Sequence, residues 1–301
     1  KYFFLKMKKK ILILGGSGFL GFNLAKKLSK IKAYETDILV KKKKYQIKIR
    51  NTNYIYSNIC NFIDLKKNLK KEYHYIINLS GNIDHKNNVE TSKTHYHGLL
   101  NILKVIKKNK LKLFIQIGSS LEYGKKKSPQ KESSKCNPIS FYGKAKYKAS
   151  LTLKRHLNDY VILRPYQIYG PYQKINRLIP FTIKSCINNN NFPCTEGNQL
   201  RDFIFVDDFS NLIAQLLKKK KIKSKIYNVG SGRPLKVKNV INLIKKISKN
   251  GKPEFGKIKM RKDEILNLYP SIRRLKKELN WKPKINIKTG LKKTISFYAK
   301  K

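Results

Sequence analysis

An α/β protein, built on a doubly wound parallel sheet with helices on both faces, is what this 301-residue chain predicts. Three observations carry that expectation. Short, nearly uninterrupted runs of Ile, Leu and Val recur along the chain, amphipathic stretches separate several of them, and the first run leads straight into a glycine-rich turn. Strands that are apolar on both sides belong to a sheet covered on both faces, and a helix between successive strands makes their pairing parallel.

In chain order the strand candidates are Ile11–Leu14, Asp37–Val40, Tyr75–Leu79, Leu113–Gly118, Val161–Arg164 and Ile226–Val229. Amphipathic helices are expected at Phe22–Lys32 and Leu99–Lys108, where apolar residues return at three- and four-residue spacing. After Gly170 the alternation breaks into loops, helices and isolated strands. The expected organisation is a nucleotide-binding domain over residues 7–170, with a returning segment near 203–232, and a smaller interleaved region over 171–301.

The run KMKKK ahead of ILIL resembles the head of a secretion signal, but the apolar stretch ends at Leu14, short of the 7 to 15 or so residues a signal core needs. Gly15, Gly18 and Gly21 follow a strand and open a helix, which points to a working part instead. In such a turn the first glycine allows the tight bend, the second lets a pyrophosphate approach the backbone, and the third lets helix and strand pack closely. The helix N-terminus then faces the phosphates, so the turn predicts a Rossmann-type dinucleotide site. Sites that prefer NAD place an acid about 20 residues further on. Here that count reaches Lys41, the first residue of KKKK, so NADP is slightly favoured over NAD.

The formal net charge is +52, from 69 Lys and Arg against 17 Asp and Glu. Only nine of the 69 are Arg, and Lys, Asn and Ile are in excess throughout, as in the tract Asn188–Asn191. A nucleic-acid reader concentrates Arg in a patch or stripe, so the pattern reads as solvated lysine faces under a general compositional bias. Nucleic acid is not expected as a partner. With 40% hydrophobic residues the chain is no disordered polycation. Cys60, Cys136, Cys186 and Cys194 are scattered without a CxxC pair, which suggests neither zinc nor a disulfide framework and fits a reducing cytoplasm. His95 and His97, two residues apart on a helix, point to different faces, so no metal site is expected. No run reaches the roughly 18 apolar residues of a membrane span. The leading KYFFLK, ahead of Met7, is expected to lie outside the working chain.

The reactive residues lie in SFYGKAKYKAS and IGSSLEYG. Tyr142 and Lys146, four residues apart, share one helix face. A tyrosine with its pKa near 10 reaches neutrality only with roughly 4 kcal/mol of anion stabilisation, and an ammonium about 4 Å away supplies a similar amount at an effective dielectric near 20. Ser119, at the end of a predicted strand, would hold a substrate oxygen beside the tyrosine.

Taken together, these pieces resemble the extended short-chain dehydrogenase/reductase family, of the NAD-dependent epimerase/dehydratase type, whose members mostly act on nucleotide sugars. The resemblance spans nearly the whole chain from Met7 and includes GGSGFLG, RPYQIYGP, RDFIFVDD, YNVGSG and the closing LNWKP. It implies Ser119, Tyr142 and Lys146 as the catalytic trio. It also implies a cofactor lined by Gly15, Gly18, Phe19, Leu20, Gly21, Lys41, Asn58, Ile59, Leu79, Ser80 and Gly81 together with Tyr142 and Lys146. Substrate contacts are implied for Gln167, Arg201 and Arg261, the two arginines gripping a nucleotide diphosphate through bidentate, charge-assisted bonds. Asn58 stands where the family usually has Asp, and Gln167 where it usually has Asn. A homodimer, paired through the helix of Tyr142 and the one around Leu99–Lys108, is a further implication. Dehydratases of the family carry adjacent acids after the catalytic Ser or Thr, whereas Ser119 is followed by Ser120 and Leu121. That leaves a 4-ketoreductase of a nucleotide-linked 4-keto-6-deoxyhexose, which is favoured, and a nucleotide-sugar 4-epimerase. A non-catalytic RNA-binding relative is the remote alternative.

Overall fold

The computed structural model describes residues 7–41, 48–81, 88–261 and 264–300. Its chain divides into two compact units.

The first unit comprises the described residues of Lys1–Gly124, Lys135–Arg164 and Ile213–Tyr227. Its frame is a seven-stranded parallel sheet. In chain order the first six strands are β1 (Lys9–Leu14), β2 (Tyr34–Val40), β3 (Thr52–Tyr56), β4 (Tyr75–Asn78), β5 (Leu113–Ile117) and β6 (Tyr160–Pro165). Their spatial order is β3, β2, β1, β4, β5, β6, closed by the strand Ile226–Val229. The strand order reverses between β1 and β4, and in open α/β sheets a ligand binds in the crevice beyond the strand ends at that switch.

β1, β2, β4, β5 and β6 are largely buried because their apolar runs are covered on both faces. β3 was absent from the expected strands, and the reason is visible: it is an edge strand whose Asn53 and Tyr56 are exposed. The helices are α1 (Phe19–Leu28), α2 (Phe62–Asn68), α3 (Asn88–Ser92), α4 (Gly98–Val105) and α5 (Phe141–His156). α1 begins three residues before the expected Phe22, because Gly18 already sits at the extended N-cap position (φ −76°, ψ 167°). It buries Gly21, Leu24, Ala25 and Leu28, one stripe at helical spacing. A π-helical turn at Lys93–His97 leads into α4. Leu99, Ile102 and Leu103 of α4 and Ala149 and Leu153 of α5 join Leu12, Leu14, Leu39, Ile76 and Phe114 of the sheet in one core. Each large aliphatic side chain so buried contributes about 1.5 to 3 kcal/mol.

The second unit comprises Lys125–Ser134, Pro165–Leu212 and the described residues of Asn228–Lys301. Its central strand, Leu200–Phe205, pairs in parallel with Gln167–Tyr169 and Asn267–Leu268 and antiparallel with Pro234–Lys236. The helices Leu178–Ile187, Val237–Ser248 and Ile287–Ala299 pack together in this unit.

Candidate active site

In the first unit, β1 ends at Leu14 and the chain turns at Gly15, whose φ of +77° is open to glycine and strained for other residues. A Cβ on Gly21 would stand 2.3 Å from the Gly15 carbonyl oxygen, so α1 and the turn touch only because that side chain is missing. No side chain caps α1 and its first turn holds no acid, which leaves a helix N-terminus suited to an anion. Phe19 and Leu20 are half-buried in that turn. These features fit the pyrophosphate of a dinucleotide.

Lys41, just beyond β2, is an exposed lysine 4.0 Å from the Glu90 carboxylate, a surface pair worth little. Lys42 to Lys44 lie outside the described residues. Asn58 donates its backbone N–H to Asp64 and accepts one from Cys60 on its side-chain oxygen, so it is committed to a local turn. Ile59 is buried in the core, and Leu79 donates its N–H to the Leu14 carbonyl at 3.0 Å. Ser80 is tied to Asn78, and a Cβ on Gly81 would fall within the His95 ring.

The catalytic candidates stand at the end of β5 and on the first two turns of α5. Ser119 is buried and caps the short 3₁₀ turn Ser120–Tyr123, its hydroxyl accepting the Leu121 N–H at 3.1 Å. That bond orients the oxygen and leaves its proton to be donated. Lys146 is 4% exposed and donates to the Ile117 carbonyl at 2.8 Å. Burial pulls its pKa from 10.5 down to about 8, against the opposing attraction of Glu122, so at neutral pH it still carries its charge. Its ammonium lies 5.8 Å from the centre of the Tyr142 ring, a positive charge that favours a phenolate there. Tyr142 is half-buried, with His95 edge-on against its ring at 5.1 Å.

Glu122 is a residue the sequence reading passed over. It is fully buried: Oε1 accepts the Ser119 N–H at 2.8 Å, while Oε2 accepts the Ser150 hydroxyl at 3.0 Å and both Nε and an Nη of Arg164, at 3.0 and 2.8 Å. A Cβ on Gly118 would stand 2.4 Å from Oε1. The signal available in the sequence was the S-x-x-E spacing of a capping box from Ser119 to Glu122.

In the second unit a cavity of about 360 Å³ is lined by Gln167, Phe181, Cys194, Gln199, Arg201 and Ile258 among others. Arg201 is buried and pairs with Glu264, and burial lowers its pKa. Its sequence neighbour Asp202 takes no part, accepting instead the N–H groups of Ser231 and Gly232. Arg261 is exposed and reaches the other oxygen of Glu264, at 2.7 Å. One carboxylate thus gathers both arginines that the sequence singles out. Among the described residues no cluster of three or more His, Cys, Asp or Glu is arranged to hold a metal ion.

A Rossmann-type sheet whose first strand leads into an uncapped glycine turn is the arrangement of a dinucleotide-binding protein. A family model narrows this: residues 11–230 match the NAD dependent epimerase/dehydratase family, and the chain belongs to that family, within the extended short-chain dehydrogenases/reductases. A putative UDP-glucose 4-epimerase of Methanocaldococcus jannaschii is 27% identical over 305 residues, covering 95% of this chain and 97% of its own. A CDP-abequose synthase of Salmonella muenchen is 28% identical over 217 residues, covering 58% of this chain and 73% of its own. The fold is shared with a UDP-glucuronic acid 4-epimerase from Bacillus cereus, solved with UDP-glucuronic acid and NAD: TM-score 0.87, 23% identity, 97% of this chain and 99% of that one. The leaning towards NADP drawn from Lys41 finds no support, and the solved relative holds NAD. Among the described residues no helix is long and apolar enough to cross a membrane.

Proposed function

We propose that the chain carries out NAD-dependent redox chemistry at C4 of a nucleotide-diphosphate sugar, as a 4-ketoreductase of a nucleotide-linked 4-keto-6-deoxyhexose. The observation that carries this reading is the trio itself, set beside a carboxylate that is not free to react. Glu122 is sealed by Arg164, Ser150 and Ser119, and Ser120 and Leu121 stand where an eliminating enzyme keeps its acids. The site therefore has the groups to pass one proton beside one hydride and lacks a free acid and base to expel water.

Bound at the glycine turn, the nicotinamide dinucleotide supplies the hydride. Ser119 donates a hydrogen bond to the C4 oxygen and orients it, and Tyr142 delivers its phenolic proton to that oxygen. The Lys146 ammonium stabilises the phenolate left behind. In the second unit Arg201 and Arg261 grip the diphosphate, and the adjoining cavity takes the nucleoside. The likeness to a CDP-abequose synthase, named for a nucleotide-linked sugar, supports the substrate class. A 4-epimerase is the second reading, favoured by the near full-length likeness to a putative UDP-glucose 4-epimerase. A homodimer belongs to the same proposal, and light scattering at physiological salt that gave only monomer would remove it.

The deciding experiment offers the purified protein NADH or NADPH with a nucleotide-linked 4-keto-6-deoxyhexose. Stoichiometric loss of absorbance at the nicotinamide band supports the reductase. Redox-neutral interconversion of UDP-glucose and UDP-galactose, without consumption of added cofactor, replaces it with the epimerase.

A further inference from the structure

The first unit holds a second set of polar side chains directly behind the trio, and the proposed chemistry does not use it. Its centre is Glu122, whose two carboxylate oxygens serve different elements. Oε1 takes the Ser119 amide at the end of β5, and Oε2 takes Ser150 on α5 and the guanidinium of Arg164 on β6. Tyr142, Lys146 and Ser150 follow one another at four-residue spacing, so the face of α5 that presents the reactive pair also carries the residue that Glu122 holds. The turn and the helix are in close contact as well: a Cβ on Gly143 would stand 2.6 Å from the Leu121 carbonyl oxygen.

The buried carboxylate is made tenable by Arg164, which grips Oε2 through both Nε and an Nη. Arg164 is itself fixed from a further side, its guanidinium lying 4.6 Å from the centre of the Tyr123 ring. A buried ion pair of this kind gains little for stability over apolar packing, because desolvation offsets the Coulomb term. What it does provide is direction: charge-assisted bonds are short and angular and hold their partners to a fraction of an ångström.

We infer that Glu122 is the positioning residue of this site: it ties the Ser119 end of β5 to the Tyr142–Lys146 face of α5, with Arg164 as its counter-charge. Glu122 touches neither substrate nor cofactor. It acts through Ser119 and α5, and a catalytic geometry distributed over two elements is kept in register by one carboxylate. This inference rests on the proposed roles of Ser119 and Tyr142.

The test compares three single variants as holoenzyme. Glu122→Gln removes the charge and keeps the shape, Glu122→Asp keeps the charge and shortens the reach, and Ser150→Ala cuts only the tie to α5. With NADH and the 4-keto sugar, Ser150→Ala is expected to lower kcat about tenfold with KM within twofold, and Glu122→Gln to lower it at least a hundredfold. Glu122→Asp should recover part of that loss, and NAD affinity by calorimetry should be unchanged throughout. Folded variants with wild-type kcat and a lowered melting temperature would reduce Glu122 to a structural role and overturn the inference. If Glu122→Gln fails to fold, Ser150→Ala decides alone. Amide hydrogen exchange at Ser119 reads the tie without any substrate and should speed up at least tenfold in Glu122→Gln or Glu122→Asp. If the wild type turns over no nucleotide sugar while that exchange still responds, the proposed reaction falls and the tie stands; unaltered exchange removes the tie.

Discussion

Replacing Lys146 by Met tests whether a buried ammonium sits behind the reactive tyrosine. The folded pKa of about 8 lies below the ordinary 10.5, because burial disfavours the charged form. The unfolded chain therefore binds more protons than the folded one, and stability rises with pH across the window from about 8 to 10.5. Below that window the full cost of the buried charge is present. Integrating a single site with these two values, the wild type gains roughly 2 to 3 kcal/mol between pH 7 and pH 10 from this residue alone. The methionine variant has no such term. Urea unfolding of both proteins at pH 7 and pH 10 gives the double difference, in which the other lysines cancel. The variant should be relatively better off at pH 7, by roughly 2 to 3 kcal/mol compared with pH 10. Equal pH dependence in the two proteins would mean that Lys146 titrates as in water, and the burial of its ammonium beneath the reactive tyrosine would have no basis.

Tyr142→Phe keeps the ring against His95 and removes only the proton donor, so turnover should fall by about 10² to 10⁴ while NAD affinity by calorimetry stays within about twofold. Arg201→Ala should weaken nucleotide-sugar binding about 30-fold, the loss of a charge-assisted bond of about 2 kcal/mol, and leave NAD binding unchanged; equal losses for both ligands would refute its assignment to the diphosphate. With a net charge of +52, raising salt from about 0.05 to 0.5 M should raise KM for the nucleotide sugar several-fold with kcat nearly constant, as steady-state kinetics can show.

The sequence announced the sheet through its apolar runs, because a strand buried on both faces has no polar positions to disguise it. β3 escaped notice since an edge strand with exposed Asn53 and Tyr56 shares its composition with loops. Around the reactive residues, four-residue spacing was enough to place Tyr142 and Lys146 on one face of α5. The partners of charged side chains were less legible, because they depend on which chain segments meet. Arg201 pairs with Glu264, 63 residues away, and leaves its neighbour Asp202 to two backbone amides. Glu122 meets Arg164 from 42 residues off, a meeting that exists only once β5 and β6 lie side by side.

Gly118 carries a consequence for how this stretch can drift. Its missing Cβ leaves room for the carboxylate of Glu122, and Ile162 and Arg164 close in at 3.1 and 3.3 Å on the same space. The two positions are therefore coupled. An alanine arriving first at 118 collides with the acid, whereas a shorter residue arriving first at 122 removes that collision. While the acid is kept, glycine is the residue that fits four positions upstream; losing the acid relieves the closest contact there, and Ile162 and Arg164 still bound the space.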